Sequence, residues 1–118
     1  MFTDKVAWSR EESGDVEKFA MGQALMTWAV GRLWFLVSNA AAMDQGTMAL
    51  DIADLDYRFE AVMSEWGEGK DIIDAMLPDD PAHEWFQTYG PWLDHQRTDL
   101  YKATEAFNVL RKRLDQKF

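Results

Sequence analysis

The sequence predicts an all-α fold: a single elongated helical bundle with two long helices, at about 15–43 and 91–117, and two or three shorter ones. Three observations predict it. Residues 19–43 carry one charged side chain, Arg32, through about seven helical turns of otherwise uncharged chain. Leu93, Leu100, Phe107 and Leu114 recur every seven residues, with Ala103 and Leu110 in the alternate seam. No alternating apolar–polar run competes for a strand. The 118 residues suffice for one domain with one core, so 1–118 reads as a single helical domain.

Residues 1–13 read as an N-terminal arm or short helix, with Phe2 and Val6 one turn apart. Ser13 or Asp15 is suited to cap the helix that follows. Within it, Gly22, Met26, Ala29, Leu33, Leu36, Ala40 and Met43 alternate spacings of four and three, as one core stripe requires. A second stripe, Ala20, Ala24, Thr27, Gly31, Ser38 and Ala41, interrupted by Trp34, is made of small residues and admits close approach of another helix; Trp28 and Phe35 point between the two stripes. A helix with two packing faces is central to its own bundle, shared with a second subunit, or both. Arg32 stands between the faces; if buried it needs a carboxylate from another helix or subunit, which makes it a buried ion-pair candidate.

Asp44-Gln45-Gly46 reads as a turn with Gly46 in the left-handed position. Thr47 is a suitable N-cap for a second helix reaching Trp66, with Ile52, Leu55, Phe59, Val62 and Trp66 inward. Asp54 and Arg58 have the spacing of a surface ion pair. Gly67 and Gly69 read as its end, followed by a short helix over Lys70–Leu77 that Pro78 stops. Asp80-Pro81 starts another short helix, and Gly90-Pro91 repeats the stop-and-start signal before the last long one.

Composition narrows function more by exclusion than by assignment. Twelve basic against twenty-one acidic residues leave a net charge of −9, which disfavours direct binding to nucleic acid or anionic lipid. There is no Cys, so no disulfide or thiolate chemistry; a cytoplasmic location is the simplest expectation, and the N-terminus lacks the pattern of a signal peptide. The stretch 19–43 is long enough to span a membrane, but Arg32 at its middle and acidic flanks argue against a membrane helix.

Four clusters are candidates for function. Twelve carboxylates between Asp44 and Glu84 face only Arg58 and Lys70; the acidic face they suggest includes Asp44, Asp51, Asp54, Asp56, Glu60 and Glu65. Such a face either keeps an apolar protein in solution or meets a basic partner. Trp85, Phe86, Tyr89 and Trp92 gather around Gly90-Pro91, where they either close the core or anchor a partner. His83 beside Glu84, and His95 with Asp99 one turn on, have acid–base or ligand chemistry, yet no set of three or four converging ligands is evident. No metal or other cofactor is therefore expected. The terminal cations Arg111, Lys112, Arg113 and Lys117 complement a helix C-terminus.

The leading expectation is a non-enzymatic protein–protein interaction module, an accessory subunit or adaptor that also associates with itself as a homo-oligomer. The second is an acidic inhibitor, of the phage counter-defence kind, that imitates nucleic acid and blocks a basic nucleic-acid-binding protein. A small enzyme or ligand-binding protein using His83 and His95 ranks third.

Overall fold

The computed structural model describes residues 10–48, 51–76 and 84–117, and these form three helices. They are α1 (Arg10–Asp44), α2 (Ile52–Asp74) and α3 (Glu84–Lys117). The bundle measures 57 × 24 × 20 Å, its length set by α1 and α3. Arg32 of α1 meets Glu65 of α2, and Gly22 meets Gly69 and Ile73, so α2 runs antiparallel to α1. Phe19 touches Tyr89 at one end and Asp44 reaches Lys117 at the other, so α3 runs parallel to α1.

The all-α fold is as expected; the two longest helices, α1 and α3, begin at Arg10 and Glu84 instead of near 15 and 91, and the shorter helices differ as well. Gly67 and Gly69 do not end α2, which continues unbroken through the segment expected to start a separate helix at Lys70. The reason is a helix crossing. A Cβ at Gly69 would lie 2.7 Å from the Gly22 carbonyl oxygen, and one at Gly22 would lie 2.6 Å from Ile73 Cγ1. Both positions are buried, so glycine lets the two backbones touch there. Pro91 likewise sits inside α3 rather than before it. An interior proline costs about 3 kcal/mol. Here Tyr89, Trp92 and Leu93, on both sides of Pro91, pack with Phe19, Met26 and Ile73, and this burial offsets the loss.

The helix ends also differ from expectation. Ser13 and Asp15 fall within α1 rather than at its start. Gly46 does adopt a positive φ of 77°, and the N–H groups of Gly46 and Thr47 donate to Met43 O and Ala42 O at 3.1 and 2.9 Å. That pattern closes α1. Thr47 also donates its Oγ1 hydrogen to Ala42 O at 3.1 Å, so it serves the end of α1 instead of the start of α2. Asp51 is the N-cap of α2, its carboxylate accepting from Ala53 N at 3.0 Å. The expected arm over 1–13 lies outside the described residues up to residue 9, as does the helix start at Asp80-Pro81.

The core runs the length of α1's inner face. Ala29, Leu33, Leu36, Ala40 and Met43 join Leu55, Val62, Ala103, Phe107 and Leu114 in the larger cluster. Phe19, Met26, Ile73 and Tyr89 form the smaller one. Phe59 of α2 stacks on Phe107 of α3 with centroids 4.5 Å apart, joining the two outer helices directly.

Candidate protein-interaction surface

The structure separates the two faces of α1. Every residue of the core stripe from Gly22 to Met43 is buried. Of the small-residue stripe Ala20, Ala24, Thr27, Gly31 and Ser38 are exposed and Ala41 is half-buried, and a Cβ added at Gly31 would meet nothing within 4 Å. Neither α2 nor α3 covers this face. Beside it stand Met21, Trp28 and Phe35, with 57, 69 and 65% of their surface exposed, and Trp34 lies along the far edge. From Ala20 to Met43 the only charge on the helix is Arg32. Sequence reading marks the small residues as the packing face and sets Trp28 and Phe35 between the two stripes without giving them a role. Their spacing was the available signal: Met21, Trp28 and Phe35 lie seven apart and so share one line along the helix.

Arg32 lies at the border of this face. It donates to both oxygens of Glu65, at 2.8 and 2.6 Å, and thereby ties α1 to α2. Its side chain is 52% exposed, which corrects the expectation of burial: the long side chain lies over the helix–helix groove and keeps its guanidinium in water. That groove, of about 240 Å³, is lined by Arg32, Phe35 and Leu36 on α1 and Tyr57, Arg58, Ala61 and Val62 on α2. The exposed rings of Phe35 and Tyr57 thus extend the apolar face of α1 sideways onto α2.

The acidic residues are placed quite differently. Asp56 receives two bonds from Arg111, from Nε at 2.7 Å and from Nη2 at 2.8 Å, which fasten α2 to α3. Asp44 is reached by Lys117 Nζ at 3.0 Å and by Arg113 Nη1 at 3.4 Å, which fasten α1 to α3. Hydrogen bonding to Lys117 holds the Asp44 carboxyl below its ordinary value, and that to Arg111 does the same for Asp56. Arg111 is in turn held firmly protonated by Asp56 and Asp115. Asp54 pairs with Arg58 at 2.9 Å and Asp51 caps α2. Of the six carboxylates of the expected acidic face, Glu60 is exposed with no ion pair among the described residues, while the rest bond within the chain.

The aromatic joint divides. Tyr89 is buried, edge-on to Phe19 at 5.5 Å and stacked near Trp92 at 5.8 Å, and closes the core instead of presenting a surface. Burial, with Asp74 nearby, pushes its phenol up to about 12. The side chains of Trp85 and Phe86 lie outside those described. His83 is also outside the described residues; His95 is exposed on α3, with Nε2 3.6 Å from Asp99. Among the described residues no group of three or more His, Asp or Glu side chains is placed to hold a metal, and no helix is long and apolar enough to cross a membrane.

The broadest uncommitted feature is therefore the outer face of α1. Comparison adds no identity to it: no family model, curated protein or solved structure matches the chain.

Proposed function

We propose that the chain is a non-enzymatic helical interaction module, an accessory subunit or adaptor, that docks a helix of a partner protein along the outer face of α1. The observation that carries this reading is the exposure of Trp28 and Phe35 beside an uncharged line of small residues on a helix whose opposite face is already filled by the core. Trp, Tyr and Arg dominate the energetics of protein interfaces, and Trp28, Tyr57 and Arg32 stand at this surface. Contiguous exposed apolar surface of this kind marks association sites in proteins that live in water. The acidic-inhibitor reading draws less support. Asp44, Asp56 and Glu65 already bond to Lys117, Arg111 and Arg32, so a basic partner would have to compete with cations of the chain itself.

Affinity capture with the tagged protein at low and high salt tests the proposal. A stoichiometric partner retained at high salt by the wild type and by Glu60→Gln, but lost from Trp28→Ala/Phe35→Ala, is the expected result. A partner held equally by the double variant, or one lost at high salt and weakened by Glu60→Gln, would overturn it in favour of the charged face.

A further inference from the structure

We infer that the bundle opens from one end: the half around Phe19 and Tyr89 comes apart as a unit while the half around Leu36 and Phe107 stays folded. This does not depend on the outer face of α1; it follows from how unevenly the helices are fastened to one another. The ion pairs between helices begin at the middle of the bundle and continue only toward Asp44. Arg32 with Glu65 ties α1 to α2, Arg111 with Asp56 ties α3 to α2, and Lys117 and Arg113 tie α3 to Asp44 of α1. On the Phe19 side of Arg32, Lys70 pairs with Asp74 within α2 and His95 lies by Asp99 within α3. Among the described residues no ion pair crosses between helices in that half.

Unpaired polar atoms gather in the same half. Four buried side-chain atoms have no hydrogen-bond partner among the described residues: Asp44 Oδ1, Trp66 Nε1, Tyr89 OH and Gln96 Oε1. Charge compensates the first, since Lys117 Nζ lies 3.0 Å from it. The other three belong to the weakly fastened half. Tyr89 is in the smaller core cluster, and Trp66 packs where that cluster joins the larger one. Gln96, only 8% exposed, lies seven residues beyond Tyr89 on the same face of α3. A polar atom held away from water without a partner costs free energy that opening returns. The backbone of α3 is weak here too: Pro91 has no N–H for the carbonyl four residues back, and Gly90 beside it is a poor helix former. Less burial opposes opening as well, with four buried residues in the smaller cluster against ten in the larger. Opening uncovers Phe19, Met26 and Ile73, which Tyr89 otherwise encloses.

Native-state hydrogen exchange of the full chain, followed by NMR in dilute solution, tests this. Met26 and Gln96 lie farther from the ends of α1 and α3 than Leu36 and Phe107 do, so fraying from helix ends alone would protect them more. One-ended opening predicts the reverse, because a helix stripped of its packing is marginal in water. The amides of Met26 and Gln96 should exchange at least about tenfold faster than those of Leu36 and Phe107. Arg111→Met separates partial from global opening. The Arg111 pair survives in the half-open state and is lost only on complete unfolding. The variant should therefore speed exchange at Leu36 and Phe107 by roughly fivefold and leave Met26 and Gln96 unchanged. Pro91→Ala restores a backbone donor to α3 and should slow exchange at Met26. Three results would each overturn the inference: Met26 and Gln96 exchanging as slowly as Leu36 and Phe107, equal acceleration of all four by Arg111→Met, or no slowing at Met26 in Pro91→Ala.

Discussion

The inner and outer faces of α1 are both apolar, yet the bundle covers only one of them. Along the inner face Met26, Leu33 and Leu36 are enclosed by α2 and α3, while half a turn away Trp28 and Phe35 stand in solvent. The glycines show the same contrast at atomic scale. Gly22 touches the backbone of another helix; Gly31 touches nothing. A helix that is apolar all round is one whose burial a three-helix bundle cannot complete, because two neighbours cover only about half its circumference. The excess of apolar surface is thus a property of the fold's helix count as much as of the sequence.

The sharpest way to break this comparison is to truncate matched residues on the two faces. Leu33→Ala should lower unfolding free energy by about 2–5 kcal/mol, because it leaves a cavity at a fully buried position. Phe35→Ala, two residues on, should change the stability of the dilute protein by no more than about 0.5 kcal/mol, since its ring is mostly exposed. Urea titration with circular dichroism reads both, and equal losses would mean that the outer face is covered within one chain.

The glycines give the next largest effect, and with opposite signs. Gly69→Ala should destabilise by about 1–3 kcal/mol, because its methyl group meets the Gly22 carbonyl and the α1 backbone has no room to retreat. Gly31→Ala should stabilise the isolated chain by up to about 1 kcal/mol through helix propensity alone. Thermal melts in dilute solution check the pair, and a stabilising Gly69→Ala would remove the close crossing from the account.

Ion pairs sharpen the contrast between fastening and display. Arg111→Met, which cuts the doubly bonded strap to Asp56, should cost about 1 kcal/mol. Arg32→Ala should cost less than that, because its guanidinium is more exposed than that of Arg111 and holds one carboxylate where Arg111 holds two. Both costs follow from urea midpoints at low and high salt, and a larger loss for Arg32→Ala would mean that its pair is buried. Titration offers a related and smaller test. The Asp44 and Asp56 carboxyls sit below their ordinary value in the fold, so the unfolded chain binds protons more readily. Their contribution is fully present above about pH 4 and is lost as acid protonates them in the folded state. Melting temperature should fall below about pH 4, and Asp56→Asn should flatten that fall.

Much of the fold was legible from residue spacing. The buried stripe from Gly22 to Met43, the inward set Leu55 and Val62, and the seam of Ala103, Phe107 and Leu114 all lie in the core as their periodicity implies. Helix boundaries were less legible, because Gly67, Gly69 and Pro91 are breakers by local chemistry and only tertiary contact overrides them. Gly69 cannot be recognised as a crossing point without knowing that Gly22 lies against it. The small-residue stripe was visible in the sequence, but whether α3 covered it was not, since that depends on which side of α1 the chain returns. The acidic block was only partly legible for a related reason: the cations that reach Asp44, Asp56 and Glu65, namely Lys117, Arg111 and Arg32, are distant in sequence.

Hydroxyl-radical footprinting tests the central claim most directly, because it reads the outer face of α1 residue by residue. Oxidation of Trp28 and Phe35 would be compared between the dilute, isolated chain and the chain saturated with its captured partner or concentrated with itself. Tyr101, exposed on α3, serves as the internal reference. The account predicts strong oxidation of both residues in isolation and marked protection on association, with Tyr101 unchanged. Equal oxidation of Trp28 and Phe35 in the free and associated states would contradict it.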